Sequence, residues 1–223
     1  MKYNRFIFII FLFVFNICNT DDYPKTESIT LKMDEEKKFL VFLGDSLTAG
    51  MGLDGIDDSY ANLVHKKLLE DGLNYTLING GVSGDTTSGG LTRLDWVISR
   101  GVDIFVLELG ANDMMRGTKP ELVYRNLEQI ILKVKEKNKN VKILIIPMKP
   151  FPNMGAKYGK VFEKIYIDLS KNYNLKLSTF LLENVAGIPE LNQRDGIHPT
   201  RKGHKIMAEN IYPALKELIT LNQ

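Results

Sequence analysis

Five short apolar runs alternate along the chain with stretches of helical spacing, and that alternation constrains the fold more than any single motif. The runs are Phe39 to Leu43, Tyr75 to Ile78, Ile104 to Leu109, Val141 to Pro147 and Leu175 to Phe180. Between and after them, Tyr60 to Asp71, Leu91 to Arg100, Lys119 to Lys137, Ala156 to Asn172 and Thr200 to Leu221 carry apolar residues at helical intervals. Short, continuous apolar runs read as strands buried on both faces. Strict alternation with helices then requires a parallel sheet with right-handed crossovers and helices on both faces, so the predicted class is α/β. Punctuation agrees: Gly72 follows the first helix as a C-cap, and Pro120 opens the third in a first-turn position. Pro213 is expected to bend or break the last helix.

All strand carboxyl ends of a parallel sheet open on one edge, so segments far apart in sequence converge there. Four loops fall at that edge or at the start of the last helix: Gly44-Asp45-Ser46, Ser83-Gly84-Asp85, Gly110-Ala111-Asn112-Asp113 and Asp195-Gly196-Ile197-His198-Pro199. They supply a hydroxyl, backbone amides, a side-chain amide and an Asp/His pair, which is the inventory of nucleophilic acyl transfer. A serine hydroxyl is inert at neutral pH until an imidazole takes its proton, and the imidazole needs a carboxylate to fix its tautomer. Ser46, His198 and Asp195 can fill those roles. The oxyanion formed on attack needs preorganised donors, for which the Ser46 amide, the Gly84 amide and the Asn112 side chain are candidates. Asp45 and Asp113 read as turn-closing groups and Glu108 as hydrogen-bonded framework. His65 and His204, in Lys-rich helical stretches, are expected at the surface, and Trp96 and most methionines in the core.

At these four blocks the sequence resembles the SGNH (GDSL-type) hydrolase family. Ile78-Asn79 through Gly84-Asp85-Thr86, Glu108 to Asp113 and Asp195 to Pro199 are similar to its multifunctional acyl-CoA thioesterase I, lysophospholipase and arylesterase branch. The resemblance runs from Phe39 to the last helix. It implies a three-layer α/β/α fold with a flavodoxin-like sheet of five parallel strands. It also implies hydrolysis of short to medium acyl esters or thioesters without a cofactor or a metal. By the same resemblance Ser46 is the nucleophile, Gly84 and Asn112 complete the oxyanion hole, His198 is the base and Asp195 orients it. Gly80-Gly81 departs from the family's usual Ala-Ser or similar pair, which bears on the flexibility of that loop. Met148 to Gly155 resembles the substrate-side loop of the branch, and Met114, Met115, Phe151 and Met154 are expected to line an acyl groove, since methionines suit a pocket that accepts several chain shapes.

With 29 Lys and Arg against 27 Asp and Glu, the net charge of +2 provides no basic field for nucleic acid. The expected partner is a small acyl ester, thioester or lysolipid, and the expected state a monomer. A metal-dependent phosphoesterase is disfavoured because such sites recruit several histidines, whereas this chain has three, two of them in helical stretches. A carbohydrate O-acetylesterase, using the same apparatus with an open polar pocket, is the alternative within the hydrolases.

The amino terminus differs from the rest. Lys2 and Arg5 precede the apolar run Phe6 to Phe15, too short to span a bilayer comfortably, and polar residues follow. Residues 1–20 therefore read as a signal peptide or a lipoprotein or membrane anchor. Its exit leaves three readings open: lipidation at Cys18, cleavage near Thr20, or an uncleaved anchor. The protein is accordingly expected to be exported: periplasmic, secreted or held at a membrane. Residues 21–37 read as a polar linker, and 38–223 as one hydrolase domain.

Overall fold

The computed structural model describes residues 37–221. The signal or anchor segment, Cys18 and all but the last residue of the linker lie outside the described residues. The elements in chain order are β1 (Phe39–Gly44), α1 (Ser46–Ala49), α2 (Tyr60–Glu70), β2 (Thr76–Gly81), α3 (Thr87–Val97), β3 (Ile104–Glu108), α4 (Ala111–Met115), α5 (Pro120–Lys137), β4 (Lys142–Ile145), α6 (Ala156–Tyr173), β5 (Lys176–Leu177) and α7 (Arg201–Thr220). The strands form one sheet in the order β2-β1-β3-β4-β5, and every neighbouring pair is parallel.

Leu40 to Leu43 and every residue of β3 are buried, as strands covered on both faces must be. Helix α2 packs beside α7, and α3, α5 and α6 pack side by side. Right-handed crossovers place these two groups on opposite faces of the sheet, giving three layers. Burial follows the helical stripes: Val123, Leu127, Ile130 and Val134 of α5 are fully buried. Among the described residues, no helix is long and apolar enough to cross a membrane.

Several sequence expectations are corrected. The Gly80-Gly81 pair, expected in a loop, is the end of β2, with Gly80 opposite Leu43 and Gly81 opposite Gly44. Pairing to β1 holds that stretch, so the glycine pair adds no hinge. Helix α3 begins four residues before Leu91, because Thr86 caps it by accepting from the Gly89 amide. Helix α7 runs unbroken through Pro213, its buried stripe Ile211, Leu215 and Ile219 holding both halves on the sheet.

Trp96 is 78% exposed, not core, because it sits two residues from buried Leu94 and so turns to the opposite side of α3. His204 is buried, not solvated. It falls on the inward stripe with Met207, Ala208 and Ile211, its Nδ1 accepts the Tyr60 amide at 3.2 Å, and its ring stacks on Tyr60. Burial depresses its pKa to about 4, so it is a neutral acceptor for the first turn of α2. His65 is half-buried, with Nε2 on the Tyr75 carbonyl at 2.7 Å, where α2 folds back on the approach to β2.

Candidate active site

The sheet reverses its winding at β1: the chain leaves β1 for β2 on one side, while β3, β4 and β5 build outward on the other. The crevice between the carboxyl ends of β1 and β3 is thus the topological switch point, where ligands of open α/β sheets bind. Ser46 follows β1 directly, and Asn112 lies two residues beyond Gly110 at the end of the β3 loop.

The turn carrying Ser46 is built by close packing. A Cβ on Gly44 would lie 2.0 Å from Thr48 Oγ1 and 2.6 Å from Glu108 Oε2. Only glycine lets α1 sit this near the strand end. Thr48 Oγ1 donates to Glu108 Oε2 at 2.7 Å and shares a 2.7 Å hydrogen bond with Tyr60 Oη, and the Asp45 amide donates to Glu108 Oε2 at 3.2 Å. Glu108 is therefore framework, as read from the sequence. Burial first, then the neighbouring Asp45 carboxylate, push its pKa well above the usual carboxylate range.

Asp45 caps α1 by accepting the Leu47 amide at 3.0 Å, and its other oxygen accepts from Asn112 Nδ2 at 3.1 Å. Its burial raises its pKa to about 6. A carboxyl with a raised folded-state pKa binds its proton more readily when folded, so stability grows as pH falls through about 6 and the gain is complete near the unfolded value of 3.8. Wild type is expected to gain about 1.4 kcal/mol on Asp45→Asn between pH 7 and pH 5, roughly 3 to 6 °C in melting temperature. A constant gap between the two melting curves over that range contradicts this assignment.

The Asp195–Pro199 loop arrives from before α7 and is held in place by its own backbone. The Gln193 amide donates to the His198 carbonyl at 2.7 Å, and Asn192 bridges Pro199. Asp195 Oδ1 accepts the amides of Ile197 and His198, at 2.9 and 3.0 Å, and Oδ2 lies 2.7 Å from His198 Nδ1. The His198 side-chain bond, followed by these amides, holds the exposed Asp195 carboxyl down at about 2. Being ionised, Asp195 accepts from Nδ1–H and leaves Nε2 as the free acceptor. Ser46 Oγ stands 2.9 Å from Nε2 and donates to it. The three side chains thus form one continuous hydrogen-bonded relay.

Gly84 has φ 78°, a left-handed conformation that favours glycine. A Cβ there would meet only Arg116 Nη2, at 3.8 Å, so the backbone conformation and not crowding by the protein requires the residue. The Gly84 carbonyl accepts from Arg116 at 2.8 Å. Among the described residues the amides of Ser46 and Gly84 donate to no protein group, while the Asn112 amide has one hydrogen on Asp45 and a second to give. Asp113 points away, accepting from the Thr87 amide and hydroxyl at 2.7 and 2.8 Å, and so ties α4 to α3.

Ser46, Gly84, Asn112 and His198 line one side of a cavity of about 570 Å³. Met114 lines it and is buried, whereas Met115 and Phe151 line it while 49% and 38% exposed, at its mouth. Met154 does not line it: the short helical turn Pro152–Met154 rotates that side chain onto the core. Met148, the first residue of the loop read as substrate-side, also lines it, while sequence reasoning missed Met51, Phe180, Leu182 and Ile197, which complete the apolar wall. Phe180 lies just past β5, so extending the strand-end rule to that strand would have found it. Among the described residues no group of three or more His, Cys, Asp or Glu is placed to hold a metal ion.

Comparison with known proteins gives concordant results. Residues 42–206 match the model of the GDSL-like lipase/acylhydrolase family. An arylesterase of Vibrio mimicus is 39% identical over 171 residues, which span 76% of this chain and 84% of that protein. A thioesterase 1/protease 1/lysophospholipase L1 of Escherichia coli K12 is 33% identical over 183 residues, 81% of this chain and 84% of that one. The crystal structure of TesA superposes with a TM-score of 0.76 at 34% identity, covering 81% of this chain and 99% of that one.

Proposed function

The chain belongs to the GDSL-like lipase/acylhydrolase family and is a carboxylic ester hydrolase, and from that premise we propose that it works through a Ser46–His198–Asp195 triad on acyl chains seated in the cavity. The observation that carries this reading is the unbroken relay, 2.9 Å from Ser46 Oγ to His198 Nε2 and 2.7 Å from Nδ1 to Asp195, at the wall of an apolar cavity. Ser46 Oγ attacks the carbonyl carbon as its proton passes to His198 Nε2, and ionised Asp195 stabilises the imidazolium. The carbonyl oxygen takes up the negative charge against the amides of Ser46 and Gly84 and the side chain of Asn112. His198 then protonates the departing alcohol or thiol, leaving an acyl group on Ser46. A water molecule, deprotonated by the same imidazole, attacks that acyl group and frees the acid and the serine.

The cavity favours an acyl chain over a sugar. Met51, Met114, Met115 and Met148 supply an adaptable apolar wall, and Lys149, which also lines the cavity, has its charge paired with Glu183 at 2.9 Å over the Phe180 ring. The basic and apolar pattern of residues 1–20 supports export. Outside the cytoplasm coenzyme A thioesters are scarce, so oxygen esters and lysolipids are the proposed natural substrates, met by an enzyme that is secreted or held at a membrane through Cys18 or the apolar run.

A series of p-nitrophenyl esters, lysophospholipids and acetylated sugars tests the substrate class. The expected result is kcat/KM rising from acetate to medium acyl chains by about tenfold or more, each well-buried methylene contributing up to ~0.8 kcal/mol. Preference for acetylated sugars over every acyl ester would establish the O-acetylesterase alternative.

A further inference from the structure

One half-buried cation of the described residues has no part in the chemistry above. Arg93 projects from α3 beneath the sheet edge, its side chain 19% exposed, and it does not line the cavity. Its guanidinium makes three hydrogen bonds in three directions: Nε to Asp85 Oδ2 at 2.6 Å, Nη1 to the Gly80 carbonyl at 2.6 Å and Nη2 to the Gly44 carbonyl at 3.0 Å. Gly44 ends β1 two residues before Ser46, and Gly80 belongs to the end of β2. Asp85 directly follows Gly84 and is itself tied down, its Oδ1 accepting the Thr86 amide at 3.0 Å and its own amide donating to the Val82 carbonyl at 3.1 Å.

One rigid planar group therefore binds both the turn that presents Ser46 and the turn that presents the Gly84 amide. The Gly44 carbonyl also accepts from the Val82 amide at 3.1 Å, so the two turns meet at this point. A fork of fixed geometry holds three acceptors at fixed separations, which a lysine ammonium on a flexible stem cannot reproduce. We propose that Arg93 is a positioning residue that sets the distance between Ser46 and the Gly84 oxyanion donor. The proposal rests on the serine-esterase reading above. The oxyanion donors act on charge present only as the transition state forms, so slackness between the two turns lowers kcat and leaves substrate binding in the cavity nearly intact.

The test uses the full chain with Arg93→Met, Arg93→Ala, Arg93→Lys and Asp85→Asn, assayed on p-nitrophenyl butyrate. Competent sites are counted by exhaustive labelling with an alkyl fluorophosphonate, so that a loss of folded protein is separated from a loss of rate. The expected result is a fall in kcat per labelled site of about 10- to 100-fold in Arg93→Met, with KM within about threefold. Arg93→Lys should recover little of it, Asp85→Asn should fall partway, and millimolar methylguanidinium should restore part of the rate in Arg93→Ala. Wild-type kcat per labelled site in Arg93→Lys and Asp85→Asn, with only the melting temperature lowered, overturns the proposal and leaves Arg93 a structural tie. Unchanged wild-type turnover in Ser46→Ala would instead bring down the reading beneath it, so the two failures are distinguishable.

Discussion

Replacing Ser46 by alanine should reduce hydrolysis of p-nitrophenyl butyrate by at least about 10⁴-fold, to what binding and the oxyanion donors alone supply. The folded state should barely notice. Ser46 is half-buried and among the described residues its hydroxyl has one partner, His198 Nε2, while the cap of α1 comes from Asp45 and its packing from Leu47 and Thr48. The melting temperature of the variant is therefore expected within about 2 °C of wild type, as for substitutions that open no cavity and break no cap. A large loss of stability together with a small loss of rate would place Ser46 in the framework, the helix-capping role that an isolated Asp-Ser pair suggests.

Asn112→Ala should lower kcat by about 10²- to 10³-fold, the cost of removing one preorganised oxyanion donor, with KM little changed. Here the structure adds a second consequence. The Asn112 amide is one of the groups that lower the Asp45 pKa against its burial. Without it the Asp45 carboxyl titrates higher still, and the variant should lose more stability at pH 8 than at pH 5. Stopped-flow acylation and melting curves at those two pH values measure both effects. Equal acylation rates in variant and wild type contradict the assignment of Asn112 to the oxyanion hole.

The parts of the molecule that sequence makes legible are those fixed by chain direction. Once alternating apolar and amphipathic segments require a parallel sheet, every strand end lies on one edge, and the four blocks around Ser46, Gly84, Asn112 and His198 have nowhere else to meet. Side-chain partners across elements are another matter. Arg93 has no pattern of its own to show that it reaches the carbonyls of Gly44 and Gly80. His204 sits among Lys202 and Lys205, and only the helical phase that aligns it with Met207 and Ile211 distinguishes it from a surface residue. Trp96 and Met154 illustrate the converse error, since residue type suggested core and groove where helix phase and a local turn decided otherwise. Asp45 is the clearest gain: beyond closing a turn, it joins the turn that carries Ser46 to α4 through Asn112.

The central claim is that a single serine at the switch point becomes covalently acylated. Its most direct test is to react the protein with an alkyl fluorophosphonate and locate the adduct by mass spectrometry of the digested chain. The account predicts one adduct per molecule, on the peptide containing Ser46, with activity lost in proportion to labelling and no adduct in Ser46→Ala. Modification at another residue, or full activity after stoichiometric modification of Ser46, would contradict it.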